Sequence, residues 1–404
     1  AGILTGDRIV QIDGKTVSGW TAEEVQKLLR GPVGSPVKVA IEHPGSVTSI
    51  SLTLNRAAIH HSAIKRAALL PGNVGYVALS VFSDSTAREL ATTVDSLVKL
   101  GATSLTLDLR SNPGGLLDQG VAVADLFIDR GERIASTAGR VKTDNVVFTD
   151  SSAQRWPKLD MAVLVDNRSA SAAEVVAGAL QDHDRAVVMG MTTYGKGSVQ
   201  SVFPVTAGGA LRLTTARWLT PLGRYISSPP PTAEEQQLDS EPPRPKYHTK
   251  AGRTVLGGGG ITPDVTIGDT TAPAENLALM RALDKNVPLF HDALTGYALE
   301  LKASGAVKSP DFVVTPSMRD EIYKSMKQRK VDIPRTTYDA AAPLVSRLFS
   351  YEVARYVFGA DAEFKRKAAD DRVLIAAEQL LTASRSQSDA LRRAEEMQRT
   401  RKRE

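Results

Sequence analysis

The sequence predicts an α/β fold followed by an α-helical C-terminal region, and two observations indicate it. Through the middle of the chain, short apolar strand-like segments alternate with amphipathic helix-like segments, which is typical of layered α/β proteins. From about residue 271 onward, long helical patterns replace this alternation. The chain has 404 residues, of which 42% are hydrophobic, so we expect two or three domains.

The composition excludes several kinds of site. The chain contains no cysteine, which excludes disulfides, thiolate zinc sites and a cysteine nucleophile. Its six histidines form no H-E-x-x-H spacing, so we do not expect a metal site. The net charge is a modest +5, and much of the excess lies in residues 392–403, where we expect a solvated end rather than a surface for nucleic acid.

The first 45 residues predict a small β/α module. A strand ends in an Asp13-Gly14 turn, and a second strand closes the block. Between them lies a helix with Thr21 as its cap and Glu24 at the third helical position. This block resembles the C-terminal part of a PDZ domain, a family in which the C-terminus of a peptide adds as a strand beside a helix. Because the opening residues read as the middle of a domain, we expect the natural N-terminus and part of the PDZ groove to be missing.

The central region predicts repeated strand–helix units. A helix over 86–99 precedes an apolar strand at 104–110 that runs into a Pro-Gly-Gly turn. A later strand leads to a helix over Ala172–Leu180. The next strand leads to a turn in which Lys196 stands between two glycines. Residues 228–246 are rich in proline and charge, which predicts an exposed loop. The mostly charged helix at the end of the chain is expected to extend into solvent.

Ser171 is a candidate nucleophile. A serine directly before a helix is most often only an N-cap. Here small residues surround it, so a substrate backbone can approach closely. The N–H groups at the start of the following helix carry partial positive charge, which suits an oxyanion.

Lys196 is a candidate general base. A lysine between two glycines is usually part of a solvated turn. Lys196, however, lies beside an apolar strand and Tyr194, and burial would favour the neutral amine. A neutral amine can accept the proton of a serine, as in Ser–Lys variants of the catalytic triad.

His183 is the competing candidate for the base. It follows the helix that Ser171 begins, and at 1.5 Å per residue that helix separates the two by roughly 13 Å or more. We therefore expect a loop histidine that faces solvent.

The chain resembles the carboxyl-terminal processing proteases, also called tail-specific proteases. The resemblance covers residues 1 to about 268 and rests on six sequence blocks in the same order: GDRIVQIDG, LLRGPVGSPV, LDLRSNPGG, SASAAEVVAGALQDHDRAVVMG, TTYGKGSVQ and GITPDV. It implies a truncated PDZ domain at 1–56, and a protease core with crotonase/Clp-like β-β-α layers at 57–270, which would include the proline-rich insertion 228–246. The helical region 271–404 lies outside the resemblance.

The resemblance also implies roles for single residues. Ser171 stands at the position of the nucleophile and Lys196 at that of the base. Gln200, four residues after the lysine, stands at the position of the residue that orients it.

The oxyanion hole of this family uses backbone amides. The resemblance implies one amide from Ala172 and one from the Pro-Gly-Gly turn, which we assign to Gly114 in preference to Gly115. We expect Asp108 and Arg110 to hold this turn rather than to take part in chemistry.

By resemblance the chain is a serine endopeptidase that needs no cofactor and works outside the cytoplasm, in the periplasm of many bacterial relatives. Its expected partners are proteins or peptides with apolar C-termini, an adaptor or PDZ ligand, and a second copy bound through the C-terminal helices; nucleic acid is not expected. The residues that bind substrate are not predicted. Two alternatives stay open: a non-catalytic peptide-binding scaffold on the same fold, and a latent protease that a ligand must activate.

Overall fold

The computed structural model describes residue 3 and residues 6–43, 48–59, 62–205, 208–227, 244–268 and 272–401. The chain forms two compact units. The first unit comprises Ala1–His60 and Asp269–Asp370, and the second comprises His61–Gly268 and Asp371–Glu404. Most of the predicted insertion 228–246 lies outside the described residues. No helix of the described residues is both long enough and apolar enough to cross a membrane.

Sixteen strands and twelve α-helices make up the described part of the chain. The strands are β1 (Arg8–Ile12), β2 (Lys15–Thr16), β3 (Pro36–Glu42), β4 (Ser49–Asn55), β5 (Ile64–Leu70), β6 (Val74–Leu79), β7 (Ser104–Asp108), β8 (Arg133–Gly139), β9 (Val147–Thr149), β10 (Asp160–Val165), β11 (Val187–Gly190), β12 (Ser198–Pro204), β13 (Ala210–Leu219), β14 (Lys246–His248), β15 (Thr254–Leu256) and β16 (Val265–Thr266). The helices are α1 (Ala22–Leu29), α2 (Thr86–Lys99), α3 (Leu117–Asp125), α4 (Ala172–Asp182), α5 (Ala274–Leu283), α6 (Val287–Ser304), α7 (Pro316–Gln328), α8 (Arg335–Ala340), α9 (Ala342–Val353), α10 (Ala360–Asp370), α11 (Arg372–Ala383) and α12 (Gln387–Arg401).

The first unit contains an antiparallel sheet of order β2-β1-β3-β4 and the helices α1 and α5–α10. Local sequence explains its turns and caps. Asp13 and Gly14 both have positive φ, as the tight hairpin between β1 and β2 requires. The Thr21 hydroxyl accepts the Glu24 N–H, and the Glu24 carboxylate accepts the Thr21 N–H, which confirms the predicted cap of α1.

The second unit is built on a six-stranded sheet of order β16-β11-β10-β7-β6-β5, parallel except for β5. Alternate side chains of β6, β7 and β10 join the core cluster that α2, α3 and α4 cover. Helices α11 and α12 contact the same central strands. Because both faces of a strand are then buried, β6 and β10 read as nearly continuous apolar runs. Strand β7 alternates polar and apolar residues, although all five of them are buried. The α/β class with a helical C-terminal region is confirmed.

The last helix differs from the sequence expectation. Helix α12 was expected to extend into solvent, but it contacts β10, β11 and β16 and buries Ala390, Leu391 and Ala394. The expectation was wrong because three small or apolar residues on one face suffice to seat an otherwise charged helix. The helical region 271–404 contributes to both units, which divide it between residues 370 and 371.

Two smaller sheets complete the second unit. One has the antiparallel order β12-β13-β8-β9, and the other pairs β14 with β15. Strand β12 follows the predicted lysine turn directly, so it connects the candidate site to this sheet.

Candidate active site

Ser171 lies on a sharp turn between β10 and α4, which we call the serine turn (residues 166–171). Its backbone has φ of 58° and ψ of −118°. A residue with a β-carbon rarely adopts these angles, and such strain concentrates at functional sites. The side chain of Ser169 secures the turn, because its hydroxyl accepts the Asp166 N–H at 2.9 Å and donates to the Leu109 carbonyl at 2.8 Å. The turn therefore presents Ser171 at the start of a helix in a fixed, strained conformation.

The predicted Pro-Gly-Gly turn (residues 109–115, the glycine turn) lies directly against the serine turn. A β-carbon built on Gly114 would come within 2.7 Å of the Ser171 β-carbon and 2.9 Å of the Ala172 nitrogen. The Asn112 carbonyl accepts the Ala170 N–H at 2.9 Å, which ties the two turns together. Glycine is required at position 114 because its φ is +92° and no room exists for a side chain.

The hydrogen bonds of the glycine turn distinguish its two glycines. The Gly114 N–H donates to Asn112 Oδ1 at 2.9 Å. Among the described residues, the Gly115 N–H has no acceptor. The N–H of Ala172, the first residue of α4, likewise has no partner within its own helix. Among the described residues, the N–H groups of Gly115 and Ala172 therefore have no acceptor, whereas the N–H of Gly114, which the resemblance implied as an oxyanion donor, already has one.

Glu174 connects the nucleophile candidate with the lysine candidate. Its Oε2 atom accepts the Ser171 N–H at 2.8 Å and the Lys196 N–H at 2.9 Å. Its Oε1 atom accepts the Thr193 hydroxyl at 2.5 Å and the Gly195 N–H at 2.6 Å. The residue is fully buried. One carboxylate therefore holds the backbones of Ser171 and Lys196 against each other.

Two opposing effects act on the Glu174 carboxyl. Burial raises its pKa above the ordinary value, and the four donated hydrogen bonds act to lower it. All four donors point at the carboxylate, so the ionised form fits this geometry. Sequence reasoning missed Glu174, although the spacing Ser-x-x-Glu at the start of a helix is a known signal for reciprocal capping.

Lys196 lies in the loop between β11 and β12. Its carbonyl accepts the Trp218 indole N–H at 2.9 Å. Its side chain is partly exposed rather than buried. Although both residues are described, no hydrogen bond joins the Ser171 hydroxyl to the Lys196 amine. The structure therefore brings the two backbones together without joining the two side-chain groups to each other.

Gln200 lies on β12 opposite Thr214, where the register with β13 shifts. Its side chain is exposed, and within the described residues it makes no hydrogen bond to Lys196. Its orienting role stays a prediction.

His183 lies at the other end of α4, where it is the C-cap. Its Nε2 atom is 2.6 Å from the Arg133 carbonyl oxygen, and its side chain is only 13% exposed. It is therefore anchored to the neighbouring strand β8 rather than facing solvent. Within the described part of the chain, no group of three histidine, aspartate or glutamate side chains could hold a metal ion.

Both turns lie in a part of the chain that is similar to known proteins. Residues 73–232 match peptidase family S41, and residues 1–42 match the PDZ domain. A carboxy-terminal-processing protease of Bartonella bacilliformis is 42% identical over 230 residues, which are 56% of this chain and 52% of that protein. The carboxy-terminal processing protease CtpA of Bacillus subtilis is 36% identical over 56% of this chain and 48% of its own length. The chain spans about half the length of these relatives.

A solved structure of a photosystem II D1 C-terminal processing protease aligns with 70% of this chain and 68% of its own, at 29% sequence identity and a TM-score of 0.38. The sequence matches confirm the resemblance that the six blocks indicated.

Proposed function

We propose that this chain, whose residues 73–232 match peptidase family S41, is a serine endopeptidase that cleaves proteins or peptides near their C-termini. The observation that carries the proposal is the shared carboxylate oxygen of Glu174, which binds the N–H groups of both Ser171 and Lys196. A scaffold without chemistry would not need to hold a strained serine beside a lysine in this way.

In the proposed reaction, the neutral amine of Lys196 takes the proton of the Ser171 hydroxyl. The serine oxygen then attacks the peptide carbonyl to form a tetrahedral intermediate. The Ala172 N–H and one amide of the glycine turn stabilise the oxyanion. Since the Gly114 N–H already binds Asn112, the free N–H of Gly115 is the better candidate for the second donor.

The second half of the reaction reverses the proton transfer. The protonated Lys196 gives its proton to the leaving amine, and the bond between the carbonyl carbon and nitrogen breaks. Water then attacks the acyl-enzyme, with Lys196 again as the base, and Ser171 is regenerated. A side-chain rotation must first bring the two groups together, since they are not hydrogen-bonded in this structure.

We infer the substrate and the cellular location from the similarity to this family. We infer that the PDZ domain, matched at residues 1–42, admits a substrate with an apolar, loosely folded C-terminus. We infer a location outside the cytoplasm. We also propose that the chain binds an adaptor, and that two copies associate through the C-terminal helices.

The test compares the wild-type chain with Ser171→Ala and Lys196→Ala. Each is assayed for cleavage of casein and of a peptide with an apolar C-terminus, and for labelling by a serine-reactive phosphonate probe. We expect the wild type alone to cleave, and the probe to label Ser171. Undiminished turnover in either variant would exclude the Ser–Lys dyad. Labelling of the wild type without cleavage would indicate a latent enzyme. Absence of both labelling and cleavage would indicate a scaffold.

A further inference from the structure

Arg110 connects the glycine turn to two carboxylates. Its Nε atom lies 3.0 and 3.1 Å from the two carboxylate oxygens of Asp108, and its Nη2 atom lies 2.6 Å from one of them. On the other side, Nη1 and Nη2 donate to the two oxygens of Asp371 at 2.9 and 2.6 Å. The arginine side chain is 22% exposed. Both pairs use two parallel hydrogen bonds, the geometry in which arginine binds carboxylates most strongly.

The Asp108 partner is local, whereas Asp371 comes from the other end of the chain. Asp108 ends β7, accepts the Arg110 N–H at 2.9 Å and is bound by the Tyr76 hydroxyl at 2.8 Å. Asp371 is the N-cap of α11, where its side chain accepts the N–H groups of the first turn. It is also the residue at which the chain passes from the first unit into the second. A C-terminal segment beyond the matched S41 region therefore reaches the base of the glycine turn.

We propose that Asp371 is a positioning residue for peptide cleavage: by holding Arg110, it fixes the glycine turn, which presents one of the two oxyanion amides beside Ser171. This inference rests on the proposed function. Arg110 is the residue directly before Ser111, whose φ is +58°. A residue other than glycine keeps such a conformation only when its surroundings hold it firmly.

Besides its contacts with the Ala170 and Phe82 N–H groups, side-chain carboxylates hold the glycine turn from two sides, and Asp371 supplies one of these carboxylates. On one side, the Asp166 carboxylate accepts the Ser111 N–H at 2.8 Å and its hydroxyl at 3.0 Å. On the other side stands Arg110 with its two carboxylates. Without Asp371, the largely buried guanidinium keeps only Asp108, at the end of β7 where the turn begins. The link between the turn and α11 is then lost, and we expect the turn to shift relative to Ser171.

The experiment uses Asp371→Asn. Asparagine caps a helix as well as aspartate does, so α11 keeps its N-cap while the ion pair with Arg110 is lost. Because a misplacement of about 1 Å can cost about 100-fold in rate, we expect kcat for peptide cleavage to fall by about 10- to 100-fold, with KM nearly unchanged. Amide hydrogen exchange across residues 109–116 should become faster. Asp371→Glu should recover part of the rate.

Two controls separate positioning from general destabilisation. Asp389→Asn removes an aspartate on α12 that also pairs with arginines, and should change neither the rate nor exchange in the glycine turn. In an Arg110→Gln background, Asp371→Asn should add no further loss, because the two residues act as a unit. The inference would be overturned if the losses of rate from Arg110→Gln and Asp371→Asn were fully additive. It would also be overturned if Asp371→Asn had the turnover and amide hydrogen exchange of the wild type.

If the Asp371→Asn protein unfolds below the assay temperature, Arg110→Lys is measured instead. Lysine keeps the positive charge but cannot form the paired hydrogen bonds of the guanidinium to Asp108 and Asp371. Faster exchange confined to the glycine turn supports the inference, and unchanged exchange overturns it. A wild-type chain that cleaves no peptide and is not labelled at Ser171 would instead refute the proposed function. The exchange data would still decide whether Asp371 holds the turn.

Discussion

Replacing Glu174 by glutamine tests the central feature of the site. The carboxylate accepts four hydrogen bonds, two on each oxygen. Glutamine has one acceptor oxygen, and its amide nitrogen would face two donors that it cannot bind. Whichever way the amide turns, two of the four donors lose their acceptor, and the pairing of Ser171 with Lys196 or that of Thr193 with Gly195 is broken.

The expected size follows from these contacts. Each buried donor left without an acceptor costs about 1–3 kcal/mol, so two cost about 2–6 kcal/mol. Glutamine also removes a buried charge, and burial raises the pKa of Glu174, so part of that cost is offset. We therefore expect a destabilisation of about 2–3 kcal/mol. For a unit of this size, that corresponds to a fall in Tm of about 4–12 °C.

The assay combines thermal unfolding with peptide turnover. We expect Glu174→Gln to lower Tm by this amount and kcat by about 100-fold, because the strained Ser171 and the lysine loop lose their common anchor. Glu378→Gln is the matched control: Glu378 lies on α11 in the same unit, and within the described residues its side chain makes no hydrogen bond. A Glu174→Gln protein with wild-type Tm and turnover would refute the reasoning, and would indicate that the carboxyl is protonated and binds fewer donors.

Two further predictions concern a glycine and a buried acid. Gly114→Ala should abolish turnover and Ser171 labelling, since its β-carbon would lie 2.7 Å from that of Ser171. The control is Gly131→Ala, because Gly131 has a similar φ of +87° but open space around it. This variant should show backbone strain alone and keep activity. Burial raises the pKa of Asp150 from 3.8 to about 6. The folded chain thus binds this proton more tightly than the unfolded chain, and the stability it contributes is present below about pH 4 and lost as pH rises through about 6. Asp150→Asn should make Tm depend less on pH between pH 4 and 7. A pH profile of Tm identical to that of the wild type would contradict the raised pKa of Asp150.

Local sequence determined much of this protein. The Asp13-Gly14 hairpin and the Thr21–Glu24 cap depend on residues no more than four positions apart, so their side-chain chemistry alone specifies them. Apolar periodicity predicted the strand–helix order of the second unit for the same reason. The motifs also placed Ser171 directly before a helix, where the structure has it.

The tertiary structure decided how these parts meet. The shared oxygen of Glu174 requires α4 and the lysine loop to pack together, and no pattern within either segment specifies that. The engagement of the Gly114 N–H by Asn112 depends on a side-chain rotamer set by the surrounding fold. The pair of Arg110 with Asp371 joins residues 261 positions apart. Sequence periodicity reports which face of an element is apolar, but contacts between distant residues arise only when the packed chain brings their polar groups within hydrogen-bond distance.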